Sequence, residues 1–174
     1  MTNANISLPN RQAFRYTEAN MKPTIYLGAD HAGWALKQEI ETYLRSRGHG
    51  VVDMGNEHLV SDDDYPDFGY AVAKRVVADP EARGIVLCGN AQGMCMVANK
   101  VKGVRAATGF AVDEAKTSRT DDNSNVLCLP ARFINNEESK KIVDTWIETP
   151  FSDAERHVRR LKKMEKIETE EFKQ

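Results

Sequence analysis

Short apolar runs alternate with longer stretches of helical spacing along most of the chain. Thr24-Ile25-Tyr26-Leu27-Gly28, Val51-Val52-Asp53-Met54-Gly55, Gly84-Ile85-Val86-Leu87-Cys88, Val104 to Thr108 and Asn125-Val126-Leu127-Cys128-Leu129 form five β-rich runs. Brief apolar runs bounded by turn residues read as buried strands, and 84–88 is the most apolar of the five. Between the first two, Asp30 to Arg47 sets Trp34, Leu36, Ile40, Tyr43 and Leu44 at helical spacing, and Gly48 closes the helix. Pro66 is placed to open a second helix, which runs to Ala78 before Asp79-Pro80. Met94 to Lys100, Val112 to Arg119 and Asn136 to Glu148 predict three more. The last of these turns Ile142, Val143, Trp146 and Ile147 inward, and Thr149-Pro150 ends it. Ser152 to about Glu170 predicts a final charged helix.

Strands alternating with amphipathic helices predict an α/β fold: a three-layer sandwich with a five-stranded parallel sheet and helices on both faces. The final helix follows a proline break and carries few apolar residues, Val158, Leu161, Met164 and Ile167. It fits a docked terminal helix, and equally one that packs outside its own domain in an oligomer. Residues 1–21 are polar and aperiodic and read as an N-terminal extension. The domain proper is then 22–174, including the C-terminal helix 152–170.

Composition narrows the partners. Twenty-four Lys and Arg against 26 Asp and Glu leave a net charge of −2, so no positive field invites nucleic acid. No apolar run reaches the roughly 18 residues a membrane helix needs. The first residues lack the charged start and apolar stretch of a secretory signal. Three cysteines, Cys88, Cys95 and Cys128, cannot all pair and form no CxxC, which favours a reduced, cytoplasmic setting. His31, His49, His58 and His157 show no zinc spacing, and no metal is expected.

Ligands of open parallel sheets bind at the carboxyl ends of strands. Three segments are expected there: Gly28 to Gly33, Cys88 to Gly93, and Arg119 to Asn125 leading into the last strand. In the first, Asp30 reads as a helix cap or a functional acid, and His31 as a surface residue or an anion contact. Its G-A-D-H-A-G spacing is not the dinucleotide GxGxxG, and an acid inside a phosphate turn would repel pyrophosphate. In the second, Cys88 ends the most buried strand, and the loop Gly89-Asn90-Ala91-Gln92-Gly93 feeds a helix start. Backbone N–H groups there favour negative charge and lower a thiol pKa, which makes Cys88 a candidate base or nucleophile. A buried, inert cysteine is the alternative. Cys95 and Cys128 read as core. On the last helix Arg156 and Arg160 are four apart and share a face, which suits a phosphate monoester or a solvated charged face.

GADHAG, DYPDFG, VLCGNAQGMCMVANKVKGVRA, NVLCLPAR and the Arg-His-x-x-Arg pattern together resemble the type B ribose-5-phosphate isomerases and the related galactose-6-phosphate isomerase subunits. The resemblance runs from about Lys22 to Glu165. It implies a Rossmann-like fold, an exchanged C-terminal helix, and a homodimer or a tetramer with shared active sites. The implied activity is aldose–ketose isomerisation of a sugar phosphate through a cis-enediol, without cofactor. It implies that Cys88 moves the proton. A second branch of the family uses a glutamate where this chain has Met94. Asp30, His31, Arg132, Arg156 and Arg160 match substrate contacts. Gly89, Asn90, Ala91, Gln92 and Gly93 match the anion hole, with Asn90 in place of a hydroxyl residue and Ala91 in place of glycine. At Arg119-Thr120-Asp121-Asp122 the family reads Arg-x-His-Asn, and its histidine opens the sugar ring. Asp121 and Asp122 replace that histidine and asparagine. Ribose 5-phosphate is the simplest substrate, with Asp121 as the acid/base. A tetrose 4-phosphate, which cannot close that ring, a hexose 6-phosphate, and a non-catalytic binding subunit are the alternatives.

Overall fold

The computed structural model describes residues 22–172; the predicted extension, 1–21, lies outside them. The strands are β1 (Ile25–Ala29), β2 (Val51–Asp53), β3 (Arg83–Cys88), β4 (Ala106–Thr108) and β5 (Val126–Pro130). The helices are α1 (Trp34–Ser46), α2 (Tyr65–Ala78), α3 (Gln92–Ala98), α4 (Val112–Thr120), α5 (Asn136–Glu148) and α6 (Glu155–Glu171). The five strands make one sheet in the order β2-β1-β3-β5-β4, every pair parallel. This is the predicted Rossmann-like three-layer sandwich.

Side chains alternate across a strand, so the sheet feeds two cores. One holds Ile25, Leu27, Ile85, Leu87, Leu127 and Leu129 against Leu36 and Ile40 of α1, Ala115 of α4, and Ile142, Val143 and Trp146 of α5. The other holds Val86, Cys88, Val126 and Cys128 against Val72, Ala73 and Val76 of α2 and Met94 and Ala98 of α3. Both faces of β3 and β5 are therefore dry, which is why these runs are apolar without alternation. Cys128 is fully buried, and burial raises its thiol pKa. The Cys95 thiol lies 3.3 Å from the Ala106 carbonyl and is pulled down by a hydrogen bond with Cys128.

Two helix starts that differ from expectation have a visible cause. Residues 31–33 form a turn, so α1 starts at Trp34 rather than Asp30. Asp30 Oδ1 accepts from the Gly33 N–H at 3.0 Å, so the acid caps that turn instead of entering the helix. α3 starts at Gln92, two residues early, because Ala91 takes the left-handed conformation (φ 65°) that turns the chain into it.

A larger correction concerns the segment Arg119 to Asn125, expected at the carboxyl ends of the strands. It lies at the opposite, amino edge. Asn125 O accepts from Gly84 N–H, and Asn125 N–H donates to Arg105 O, both at the start of their strands. The reason is directional. A helix linking parallel strands must return the chain to the sheet's starting edge, so a segment entering a strand cannot share an edge with one leaving it. Cys88 pairs with Pro130 and Gly84 with Val126. Four residues of β5 thus separate the two edges, on the order of 13 Å.

α6 is held at its start. Ser152 N–H donates to Thr120 O at 3.2 Å, and farther on Gly103 N–H donates to Glu168 Oε2 at 3.1 Å. Of its 17 residues only His157 is buried, while Met164 and Ile167 stand exposed. No helix among the described residues is long and apolar enough to cross a membrane.

Candidate active site

The chain leaves β1 toward β2 and α1 on one side, and leaves β3 toward α3 on the other. Loops that diverge at such a switch point open a crevice. A cleft of about 420 Å³ lies there, lined by Asp30, His31, Tyr65, Cys88, Gly89, Asn90, Gln92, Gly93, Met96 and Arg132. That size suits a small metabolite.

Cys88 is 5% exposed at the last position of β3. Its thiol faces Asn90 Oδ1 at 3.9 Å, and the same oxygen accepts from Gln92 N–H at 3.2 Å. With Oδ1 so occupied, Asn90 keeps its Nδ2 donors for a ligand. Two backbone bonds tie the end of β3 to the turn after β5: Ala131 N–H to Cys88 O at 2.9 Å, and Arg132 N–H to Gly89 O at 3.1 Å. The Arg132 guanidinium rests directly on Gly89, where an added Cβ would come within 3.0 Å of it. At Gly93 an added Cβ would lie 2.7 Å from the Tyr65 ring, so any side chain there would push the ring away. Ala91 is buried behind the loop and does not line the cleft.

On the far wall, Asp30 is nearly buried. Burial raises its carboxyl pKa against the lowering effect of the Gly33 N–H. His31 is raised as well, first by its hydrogen bond to Asp63, with desolvation opposing and the charges of Asp30 and Asp63 adding. Asp63, Tyr65 and Met96 were not among the residues singled out from the sequence. The Tyr-Pro opening of α2 was a signal for Tyr65; Asp63 sat unmarked inside an acidic loop.

Asp121, Asp122, Arg156 and Arg160 are not in this cleft. They belong to the amino edge. Asp121 closes α4, and its Oδ1 lies 3.7 Å from His157 Nδ1. His157 Nδ1 also meets Ser152 Oγ at 2.9 Å and Thr120 O at 3.3 Å. Its Nε2 accepts from Arg156 Nε at 2.9 Å, which makes the neutral Nδ1–H form the one that satisfies both nitrogens. Beneath, Arg119 is buried and, among the described residues, forms no salt bridge. It donates to Thr149 O, Asn123 Oδ1 and Ser124 O, and burial, with Arg83 and Arg105 adding, lowers its pKa to about 10. It remains a cation at neutral pH and grips the turn that carries Asp121 and Asp122. Ser124 Oγ accepts from Trp146 Nε1 and shares a bond with Ser118 Oγ, both at 2.8 Å. One chain thus holds a thiol, amide and imidazole cleft at one edge and an arginine-rich arm at the other.

Residues 25–164 match the family model for ribose/galactose isomerase. A ribose-5-phosphate isomerase B of Mycobacterium tuberculosis is 44% identical over 79% of this chain and 85% of its own length. A D-erythrulose-4-phosphate isomerase of Pectobacterium atrosepticum is 38% identical over 74% of this chain and 84% of its own. A crystal structure of ribose-5-phosphate isomerase B from Mycoplasma genitalium with bound ribulose-5-phosphate superimposes with a TM-score of 0.83. It shares 41% identity and covers 87% of this chain and 99% of that one.

Proposed function

The chain belongs to the ribose/galactose isomerase family, and from that premise we propose that it is an enzyme interconverting ribose 5-phosphate and ribulose 5-phosphate. The observation that carries the reading is the placement of Cys88. A thiol ends β3 inside the switch-point cleft, beside an amide and an arginine that can take a substrate oxygen. Cys88, as thiolate, removes the C2 proton and returns it to C1, while the hydroxyl proton passes from O2 to O1. The enediolate between these steps is stabilised by Asn90 Nδ2 and the main chain of Gly89 and Gly93, with Ala91 and Gln92 shaping the loop behind them. Asp30 and Arg132 hold the sugar, and His31 takes the phosphate.

Arg156 and Arg160, with Asp121 and Asp122, complete the site from a second copy. The nearly unburied α6 and the split of these groups across two sheet edges support a homodimer, or a tetramer built from it, with the last helix exchanged. The chain acts in the cytoplasm on a free sugar phosphate and needs no cofactor.

A four-carbon substrate is the second reading, favoured by Asp121 and by the Pectobacterium relative. In a tetrose 4-phosphate the 4-oxygen is esterified, so no five-membered ring forms and none has to be opened. Turnover of ribose 5-phosphate and erythrose 4-phosphate by the purified chain separates the two. Robust ribose turnover that falls on Asp121→Ala supports the first; turnover of the tetrose alone supports the second. A chain inert on both, and on hexose 6-phosphates, sinks the isomerase reading.

A further inference from the structure

We propose that Asp63 is a positioning residue: it fixes the tautomer and charge of His31, so that the imidazole presents a cationic Nε2–H donor to the anionic end of the substrate. The proposal rests on the reading that His31 takes the phosphate.

Asp63 Oδ1 is held twice by the same residue, at 2.8 Å from the His31 backbone N–H and 2.9 Å from the ring Nδ1. A carboxylate offers acceptors only, so Nδ1 must carry the hydrogen and Nε2 is the nitrogen left for the cleft. Asp63 is far more buried than its partner, with side-chain exposure of 8% against 40%. Its other oxygen accepts from Asn56 Nδ2 at 3.1 Å. Asn56 is itself anchored. Its carbonyl takes a bond from Lys37 Nζ at 3.0 Å, and the same fully buried ammonium pairs with Asp53. Asp53 Oδ1 then holds Gly55 N–H at 2.8 Å. A buried lysine on α1 thus fixes the loop that fixes Asp63, which fixes the ring. A flexible loop carrying a chance surface pair would show no such chain of supports.

The titratable and charged groups around the ring are Asp63, bonded to it, Asp30 beside it, and Tyr65, Cys88 and Arg132 lining the same cleft. The two carboxylates favour the imidazolium, in line with the raised pKa of His31. Its proton is then held to higher pH, where a phosphate monoester is a dianion and benefits most from a cationic donor.

The test is Asp63→Asn, which keeps an oxygen acceptor and removes the charge. Imidazole NMR of the full chain, with the His31 resonance assigned through His31→Gln, reads the ring pKa without substrate. The variant should titrate at lower pH than the wild type. Inorganic phosphate, as the probe, should bind near-normally at pH 6 and several-fold more weakly at pH 8. KM for ribose 5-phosphate should follow the same profile, with kcat changed less. An unchanged His31 pKa, or a loss of phosphate affinity equal at both pH values, overturns the proposal. Should Asp63→Asn lose the folded spectrum, Asn56→Ala removes only the support of the second oxygen and should lower the same pKa by less. No shift there is likewise a refutation. The ring pKa is read without turnover, so a chain inactive on ribose 5-phosphate would sink the functional reading and leave this measurement intact.

Discussion

At the carboxyl edge of the sheet, each candidate group sits within a few residues of a strand end or is braced by a buried partner. Cys88 is the last residue of β3, Arg132 lies two residues past β5, and His31 leans on Asp63. At the amino edge, Asp121, Arg156 and Arg160 ride on helix ends and are held to the sheet through Arg119, Ser124 and His157. The first edge is set by strand pairing, which cannot slide without exposing a core face. The second depends mainly on side-chain hydrogen bonds, with the Ser152–Thr120 backbone bond beside them. On the proposed reading, chemistry that needs sub-ångström placement falls to the first, and charge recognition, which tolerates more play, to the second.

Four changes break this contrast, in falling order of effect. Cys88→Ala removes the proposed proton carrier. kcat should drop by on the order of 10²–10⁴-fold, and exchange of the substrate C2 proton with solvent should cease, by NMR in deuterated water. Retained exchange would falsify the role of Cys88. Mixing Cys88→Ala chains with Arg156→Ala chains tests whether the two edges come from different copies. After refolding together, half the dimers are mixed and one of the two sites in each is whole, so at substrate well below KM, where either variant alone is weak, about a quarter of wild-type activity should return. No recovery would place both edges of a site in one chain. Arg156→Ala or Arg160→Ala alone should raise KM by about 10–100-fold with a smaller change in kcat, as loss of a charge-assisted bond to phosphate predicts. Equal loss in kcat and KM would argue against a binding role. Ser124→Ala leaves Trp146 Nε1 buried without its partner and should cost about 1–3 kcal/mol in denaturant unfolding. A smaller cost would mean that the amino-edge turn does not depend on it.

The fold was legible because the dry strands are short apolar runs and the helices carry one apolar stripe. Boundaries were harder where side chains cap: Asp30 and Ala91 make turns that spacing alone does not reveal. The cleft was legible at Cys88 to Gly93, a loop leaving a strand. The Arg119–Asn125 segment lies at the other edge than expected because the strand-end rule holds for loops that leave a strand, and this loop enters one. Asp63 was invisible for another reason. Three consecutive aspartates look alike in sequence, and only the fold picks the one that meets His31.

The single buried side chain of α6 has a kinetic consequence. On the proposed two-copy site, a lone protomer holds a cleft without its arm. Dilution then does more than slow the reaction. Below the dissociation constant of the pair, the number of complete sites falls as the square of chain concentration, and activity per chain falls in proportion to it. Specific activity would become a readout of association, and a substrate phosphate that bridges the two copies would itself draw them together.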